Sequence, residues 1–328
     1  MTSASPTSAD AAGRIKDLLT TAALGREALL RILDISAGFK HQPMSRHGLL
    51  RGETIVLYFN KPSTRTRLSF EAAVARLGGT PVSVGPAELQ LNRGETIEDT
   101  ARVISSYARA FVIRTFEDED VRRFAAAATI PVINALTDGH HPCQSLADLL
   151  TLREAWGAKR GRIAFVGDGN NVAISLIEGC ALAGIDISVA TPRGHEPDAA
   201  LLGQARKIAQ DNGATVKLTE DPSAAVHGAA AVYTDVWLSM GMPESERATR
   251  LETFKPYQVD ARLMAEAAPG AVFMHCLPAH RGEEVTDEVI DGPQSRVFEQ
   301  AANRLPTEQA VLWALITGAL PQPARGNG

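Results

Sequence analysis

Short, nearly continuous apolar segments alternate along the chain with amphipathic helical patterns, and this alternation restricts the fold more than any other feature. Such segments are typical of strands that are buried on both faces of a parallel sheet. Strands that alternate with helices form βαβ units with right-handed crossovers. The predicted strands are TIVLYF (54–59), TPVSV (80–84), AFVIRT (110–115), IPVINA (130–135), RIAFVGD (162–168), DISVATP (186–192), TVKLTE (215–220), AAVYTDVW (230–237) and AVFMHCLP (271–278).

The length of 328 residues indicates two domains, because one hydrophobic core stops growing at about 250–300 residues. A helix is predicted from about Pro142 to Trp156, and the strand at 162–168 then opens a second α/β block. We therefore expect an α/β protein with two doubly wound domains, each with a mainly parallel sheet flanked by helices. The domains are expected to cover residues 1–150 and 151–305 and to be joined by interdomain helices.

A final helix is predicted from about Thr307 to Leu320, directly after Pro306. Its pattern alone leaves open which domain it joins. We expect the segment 306–328 to pack back on the first domain.

The charge and the cysteine content restrict the class of protein. A net charge of −5 and a pI near 5.9 argue against a general nucleic-acid binder, which would carry a basic field. The odd count and wide spacing of the three cysteines argue against a disulfide framework, and no apolar run reaches the ~18 residues of a membrane span. The polar first residues lack the apolar region of a signal peptide. We expect a cytoplasmic enzyme without a membrane or nucleic-acid partner.

The turn between the strand at 54–59 and the next helical pattern predicts an anion site. Ser63, Thr64 and Thr66 bring hydroxyl groups to the helix start, beside unpaired backbone N–H groups and the positive end of the helix dipole. Arg65 can add a forked, charge-assisted contact with phosphate oxygens. The alternative is an ordinary Ser/Thr helix cap with solvated arginines. The number of donors at one turn favours the anion site.

The segment S-T-R-T followed by R-x-S-F-E resembles the carbamoyl-phosphate signature of the aspartate and ornithine carbamoyltransferase family. The order of the later motifs extends this resemblance over roughly residues 50 to 315. Asn60 departs from it, because an acidic residue is common there in the family. The resemblance implies that carbamoyl phosphate is held by Ser63, Thr64, Arg65, Thr66, Gln90, Arg114, His141, Gln144, Cys276, Leu277 and Arg304.

The resemblance also suggests how these groups act. Carbamoyl transfer builds negative charge on the carbonyl oxygen, and donors aimed at that oxygen lower the barrier. Arg65, Thr66 and His141 are suitable donors, and Gln144 can accept from the carbamoyl NH₂ group. A buried turn histidine and a surface arginine at a helix start are the simpler interpretations of His141 and Arg304.

Three motifs follow predicted strands of the second domain, where the carboxyl ends of an open parallel sheet bind ligands. They are G-D-G-N-N at 167–171, D-V-W-L-S-M-G at 235–241 and H-C-L-P at 275–278. The resemblance to the ornithine branch implies that ornithine is bound by Asn171, Asp235, Ser239 and Met240. It also implies catalytic roles for Arg65, His141, Asp235 and Cys276.

Cys276 is expected to act as a thiolate near Asp235 that orients or deprotonates the incoming amine, because an alkyl ammonium has a pKa near ~10.4. Trp237 is interpreted as a packing residue. Asn170 is a strong candidate for a simple helix cap.

The motif at 167–171 also permits a nicotinamide-dependent oxidoreductase. That fingerprint requires a third glycine where Val172 stands, and the next strand ends in Thr191-Pro192 without an acidic residue. The residues are also compatible with a different amine acceptor, such as putrescine or an acetylated ornithine, and with a non-catalytic regulatory homologue.

The resemblance therefore implies an ornithine carbamoyltransferase of arginine biosynthesis that makes L-citrulline and phosphate from L-ornithine and carbamoyl phosphate. No metal or organic cofactor is expected, because carbamoyl phosphate is already activated and needs only positioning and electrostatic stabilisation. The family relation also implies a homotrimer or an assembly of trimers.

Overall fold

A computed structural model describes residues 14–157, 161–238 and 242–320, without the side chains of Asn92 and Glu244. The chain forms two compact units. Unit 1 comprises the chain up to Leu146 together with the chain from Asn303 onward, and unit 2 comprises Ala147–Ala302. Each unit contains one parallel sheet flanked by helices, which confirms the predicted α/β fold class.

The sheet of unit 1 has the strand order β2-β1-β3-β4, and all of its strand pairs are parallel. Ile55 lies beside both Pro81 and Ala110, so β1 is central. The chain winds to one side of β1 for β2 and to the other side for β3. The switch point between β1 and β3 is where such sheets bind ligands. The strands are β1 (Thr54–Phe59), β2 (Thr80–Val84), β3 (Ala110–Arg114) and β4 (Val132–Leu136).

The helices of unit 1 have sequence-encoded ends. Thr96 caps α3 by accepting a hydrogen bond from the Asp99 N–H, and three acidic residues lie in the first turn of α4, near the positive end of its dipole. The buried faces of α3 and α4 pack with β3 around Phe111 and Phe124. The helices are α1 (Gly25–His41), α2 (Arg65–Arg76), α3 (Ile97–Tyr107) and α4 (Asp118–Ala127), with short 3₁₀ turns at Ala22–Leu24 and Gln90–Arg93.

The sheet of unit 2 has the order β7-β6-β5-β8-β9, again with parallel pairing throughout. Ile163 lies beside both Ile187 and Ala231, which makes β5 central and places the switch point between β5 and β8. All four residues of β5, β6, β8 and β9 are buried, as their apolar sequences predict. The strands are β5 (Ile163–Val166), β6 (Ile187–Ala190), β7 (Val216–Thr219), β8 (Ala231–Thr234) and β9 (Val272–His275).

The nine predicted strands are all present in the described residues; those at 54–59 and 80–84 have the predicted ends, and the other seven are trimmed or shifted by a few residues. The helix predicted from Pro142 to Trp156 is α5 (Pro142–Trp156). The other helices of unit 2 are α6 (Asn171–Ala183), α7 (Ala199–Asp211), α8 (Pro222–Val226), α9 (Arg247–Phe254), α10 (Ala261–Met264) and α11 (Asp287–Ile290), with 3₁₀ turns at Glu244–Glu246 and Lys255–Tyr257. None of the helices in the described part of the chain combines the length and apolar character that a membrane crossing needs.

The prediction for the final helix was wrong at its start. Helix α12 (Val297–Thr317) begins ten residues before Thr307 and contains Pro306 in its interior. Proline disfavours a helix interior because it removes one backbone donor and crowds the preceding turn. Arg304, Thr307 and Glu308 around Pro306 are buried, and their packing outweighs this local preference.

The start of α2 tests the two interpretations of the hydroxyl groups at this turn. Pro62 lies before the helix, which begins at Arg65 with Thr64 as its N-cap residue. The Thr64 side chain makes no capping hydrogen bond. The interpretation of these hydroxyl groups as an ordinary cap is therefore wrong for Thr64.

Candidate active site

The anion half-site of unit 1 is built at the switch point of its sheet. The segment from Asn60 to Thr64 leaves β1 and leads into α2, whose first two residues are Arg65 and Thr66. Thr66 is buried, whereas Ser63 and Arg65 are partly exposed. One turn therefore presents three kinds of group to an anion: the backbone N–H groups of the first helical turn, the positive end of the helix dipole and these side chains.

Arg304 reaches this turn from α12. Its Nη2 atom donates to Thr66 Oγ1 at 3.2 Å, and its Nη1 atom donates to Gln144 Oε1 at 2.9 Å. Arg304 is only 2 % exposed, so its interpretation as a surface arginine is wrong. Glu308, one turn later and 1 % exposed, accepts from Arg304 Nη2 at 2.7 Å. We call Thr66, Gln144, Arg304 and Glu308 the Arg304 cluster.

His141 lies directly before α5 and is buried. Burial holds the pKa of His141 well below its ordinary value, and the positive charges of Arg304, Arg114 and Arg65 lower it further. The three guanidinium groups therefore act on one imidazole, which is neutral at neutral pH and can donate one N–H. The same cationic field favours a dianionic phosphate.

The remaining predicted carbamoyl-phosphate ligands of unit 1 lie in different environments. Arg114 is the last residue of β3 and is buried. Gln90 is exposed in a 3₁₀ turn, and its Oε1 atom accepts from Arg93 at 3.4 Å. Lys61, which the sequence did not single out, is buried, pairs with Asp138 and lies 4.2 Å from the centre of the Phe116 ring.

We call the candidate site of unit 2 the acceptor half-site; it comprises Asn170 and Asn171 after β5, Asp235 after β8 and Cys276 after β9. Asn170 caps α6 by accepting from the N–H groups of Val172 and Ala173, which confirms its interpretation as an N-cap. Its Nδ2 atom also donates to Asp235 Oδ2 at 2.7 Å. The cap therefore fixes a carboxylate that follows the neighbouring strand. Asn171 is the first residue of α6 and is partly exposed.

Cys276 follows β9 and contacts the same carboxylate. Its thiol donates to Asp235 Oδ1 at 3.0 Å. This contact favours the protonated thiol, because a thiolate would be repelled by the carboxylate. Asp235 thus accepts hydrogen bonds at both oxygens, which holds its carboxylate in one orientation.

The chain after Cys276 is held by buried polar groups. Leu277 adopts a φ of 58°, a conformation that costs a non-glycine residue on the order of 1–2 kcal/mol. Its N–H donates to His275 Nδ1 at 2.9 Å, and His275 Nε2 lies 3.2 Å from Glu284 Oε1. His275 and Glu284 are both fully buried. This pair stabilises the turn that presents Cys276.

Arg250 and Asp168 form a buried ion pair that supports the acceptor half-site. Arg250 of α9 pairs with Asp168 at the end of β5 and donates through Nε to the carbonyl of Trp237. Burial raises the pKa of Asp168 to about 6, with Arg250 opposing this rise and Asp235 adding to it. Trp237 is buried and stacks on Phe254, which confirms its packing role. The two other predicted residues of this loop, Ser239 and Met240, lie outside the described residues.

Two groups of potential metal ligands occur in the described part of unit 2. One contains Asp235, His275 and Cys276. Both ring nitrogens of His275 already face partners, Leu277 N–H and Glu284. In the other group, His280 with Glu283 and Glu284, the carboxylates also serve Arg247, His275 and the His280 N–H. The geometry of neither group requires a cation.

Comparisons with known proteins agree with these two half-sites. Residues 16–154 match the family model described as the carbamoyl-P binding domain of aspartate/ornithine carbamoyltransferase, and residues 159–315 match its Asp/Orn binding domain. The chain belongs to the aspartate/ornithine carbamoyltransferase family.

Relatives within this family cover nearly the whole chain. The ornithine carbamoyltransferase of Bacillus subtilis is 49 % identical over 302 residues, which is 92 % of this chain and 94 % of the relative. That of Anoxybacillus flavithermus is 48 % identical over 304 residues, with 92 % and 96 % covered. Among solved structures, ornithine carbamoyltransferase from Pyrococcus furiosus is similar with a TM-score of 0.88 and 48 % identity, covering 93 % of this chain and 98 % of that one.

Membership of the carbamoyltransferase family removes the basis for the oxidoreductase hypothesis. The motif at 167–171 serves a different purpose here, since Asn170 positions Asp235 and Asp168 pairs with Arg250. Val172, which replaces the third glycine, is buried in α6. The polar side chains of this strand-to-helix turn therefore hold Asp235 and Arg250 in place.

Several supporting residues of this family site were not identified from the sequence. Arg250 and Glu308 lie inside helices with no motif around them, and Glu284 is one of two adjacent glutamates in a loop. A charged residue in an otherwise apolar helical stripe would have been the signal for Glu308. For Arg250 and Glu284 the sequence carries no comparable signal, because their partners are distant along the chain.

The three cysteines should differ in reactivity. Burial raises the pKa of the Cys143 and Cys180 thiols, whereas Cys276 is partly exposed. We expect iodoacetamide to label one thiol per native chain, at Cys276, with loss of transferase activity, because this thiol is partly exposed while the other two are buried. Mass spectrometry of labelled peptides measures this, with Cys276→Ser as the unlabelled control. Labelling of Cys143 or Cys180 in the folded protein would contradict the assignment.

Proposed function

We propose that this protein transfers the carbamoyl group of carbamoyl phosphate to the δ-amino group of L-ornithine, giving L-citrulline and phosphate. The observation that carries the proposal is the Asp235 carboxylate, which Asn170 and Cys276 hold at the carboxyl ends of adjacent strands. An anionic group presented in this way suits an acceptor with an ammonium group. The relatives named ornithine carbamoyltransferase, which cover most of the chain, support the same assignment.

Unit 1 would bind the donor substrate. Ser63, Thr64 and the first turn of α2 would receive phosphate oxygens, and Arg65, Arg114 and Arg304 would neutralise the phosphate charge. Neutral His141 can donate its N–H to the carbamoyl oxygen, where negative charge grows as the amine adds. These donors are already oriented, so their contribution needs little reorganisation during the reaction.

Unit 2 would bind and activate the acceptor. Asn171 would bind the α-carboxylate, and Asp235 would bind the δ-ammonium group with Cys276 beside it. The ammonium must lose a proton before its lone pair can attack the carbamoyl carbon. The Asp235–Cys276 pair would take that proton, the C–N bond would form, and the C–O bond to phosphate would then break. Phosphate leaves with the electron pair of that bond and accepts the second proton from the attacking nitrogen, which becomes the N–H of citrulline.

The test is a direct assay of product. Purified protein with carbamoyl phosphate and L-ornithine should form citrulline and phosphate in equal amounts. An amine panel that includes putrescine and N-acetylornithine, ranked by kcat/KM, decides the acceptor. Preference for either of those amines over ornithine would replace the proposed acceptor, and no product above the background of an Arg65→Ala variant would refute the activity.

The cellular setting belongs to the same proposal. We propose a cytoplasmic enzyme of arginine biosynthesis that acts as a homotrimer or an assembly of trimers and uses no metal or organic cofactor. Three free cysteines suit a reducing compartment. The exposed turn that carries Gln90 suits a contact with a neighbouring subunit, where Gln90 would reach that subunit's carbamoyl phosphate.

A further inference from the structure

Glu308 is a buried carboxyl group that the proposed reaction does not use. It lies on α12 one turn after Arg304, and its Oε1 atom accepts from Arg304 Nη2 at 2.7 Å. The same nitrogen donates to Thr66 in the first turn of α2, and Nη1 donates to Gln144 in the first turn of α5. One guanidinium therefore connects Glu308 with two helix starts that carry predicted carbamoyl-phosphate ligands.

Glu308 also lies near α2, the helix whose first turn belongs to the anion half-site. Ser69 of α2 lies beside the Glu308 side chain. The Ser69 hydroxyl also lies 2.7 Å from the carbonyl oxygen of Arg65. Glu308 is thus linked to Thr66 of α2 by way of Arg304, and Ser69 of the same helix lies next to it.

The charges that face Glu308 are few. Arg304 on its own helix is the principal one. The Cys143 thiol of α5 also lies near Glu308. Burial raises the pKa of this thiol and Glu308 raises it further, so the thiol remains neutral. Beyond Arg304 lies His141, which is also neutral. The protonation of Glu308 therefore decides whether the Arg304 cluster carries a net charge of +1 or 0.

We propose that Glu308 is a positioning residue for the donor site, which orients Arg304 toward the phosphate and, when it loses its proton, weakens the binding of phosphate-like dianions. The proposal rests on the proposed function only for the identity of the natural ligand. Its physical basis is that two charges in a poorly solvated site interact more strongly than in water. A neutral Glu308 leaves the full Arg304 charge to the ligand.

The pH dependence follows from the environment of Glu308. Burial raises its pKa to about 7, and Arg304 opposes this rise. Well below pH 7 the carboxyl is neutral, and dianions bind most tightly. As the pH increases through about 7, the carboxylate forms and competes with the ligand for the Arg304 charge.

Glu308→Gln separates the two states, because glutamine keeps an acceptor for Arg304 and has no charge. Sulfate is a suitable probe, since it stays a dianion over pH 5.5 to 8.5 and its binding needs no turnover. We expect the ratio of wild-type to variant sulfate Kd, measured by calorimetry, to be near one at about pH 5.5. By about pH 8.5 the ratio should reach roughly three- to tenfold. Glu71→Gln, which removes a carboxylate on the outer part of α2, should follow the wild type at each pH.

A second measurement covers a variant that does not fold. Sulfate binding to the wild-type protein should be accompanied by proton uptake near pH 7 to 8, because the bound dianion raises the pKa of Glu308. Calorimetry in buffers of different ionisation enthalpy measures that uptake. A Kd ratio that stays constant with pH, or the absence of proton uptake in the wild type, would overturn the proposal. Citrulline formation would remain intact in either case, so this failure is distinct from failure of the proposed function.

Discussion

Replacing Arg65 with alanine should lower kcat/KM for carbamoyl phosphate by about 100-fold or more, since this class of charge-assisted donor acts on charge that develops in the transition state. Arg65 is the first residue of α2, and its positive charge reaches His141. Its loss would remove a proposed phosphate ligand and one of the three positive charges that, together with burial, lower the pKa of His141. Steady-state citrulline assays with varied carbamoyl phosphate measure the effect.

Arg67 provides a matched control for this experiment. It lies on the same helix two residues later, is exposed, and pairs with Glu71 at 2.9 Å. Exposed pairs of this kind contribute at most about 1 kcal/mol to stability. Arg67→Ala should therefore leave kcat/KM within about twofold of the wild type. Equal losses in the two variants would show that a general change in charge, and not the α2 turn, is responsible.

Replacing Asp235 with asparagine should lower kcat/KM for ornithine by about 100- to 1000-fold, because loss of a buried charged partner costs about 2–5 kcal/mol. The side chain keeps its size, so Asn170 and Cys276 retain a neighbour of the same shape. The KM for carbamoyl phosphate should change little, since Asp235 belongs to the acceptor half-site. Initial rates over a grid of both substrates separate the two effects.

Asp198→Asn is the matched control in the same unit. Asp198 caps α7 by accepting from two backbone N–H groups, and asparagine caps a helix about as well. This variant should therefore keep wild-type kinetics and stability. If Asp235→Asn raised the KM for carbamoyl phosphate while the ornithine KM stayed unchanged, the assignment of Asp235 to the acceptor would be wrong.

The sequence by itself determined the fold class and the order of the motifs. An apolar segment such as that at 163–166 favours a strand buried on both faces, because its side chains offer no polar side to water. In a parallel sheet the residues after such strands collect at one edge. The positions of the S-T-R-T turn, Asp235 and Cys276 after the carboxyl ends of strands were therefore predictable from local patterns.

The tertiary structure alone decided which distant groups act together. Arg304 contacts Thr66 across 238 residues of sequence, and Arg250 reaches Asp168 across 82. Such pairings depend on how whole elements pack, which no local pattern encodes. Pro306 illustrates the same limit, because its local preference predicted a helix start where the packing of α12 maintains a helix interior. The protonation of His141 and Glu308 also follows from packing, since burial and nearby guanidinium groups set both pKa values.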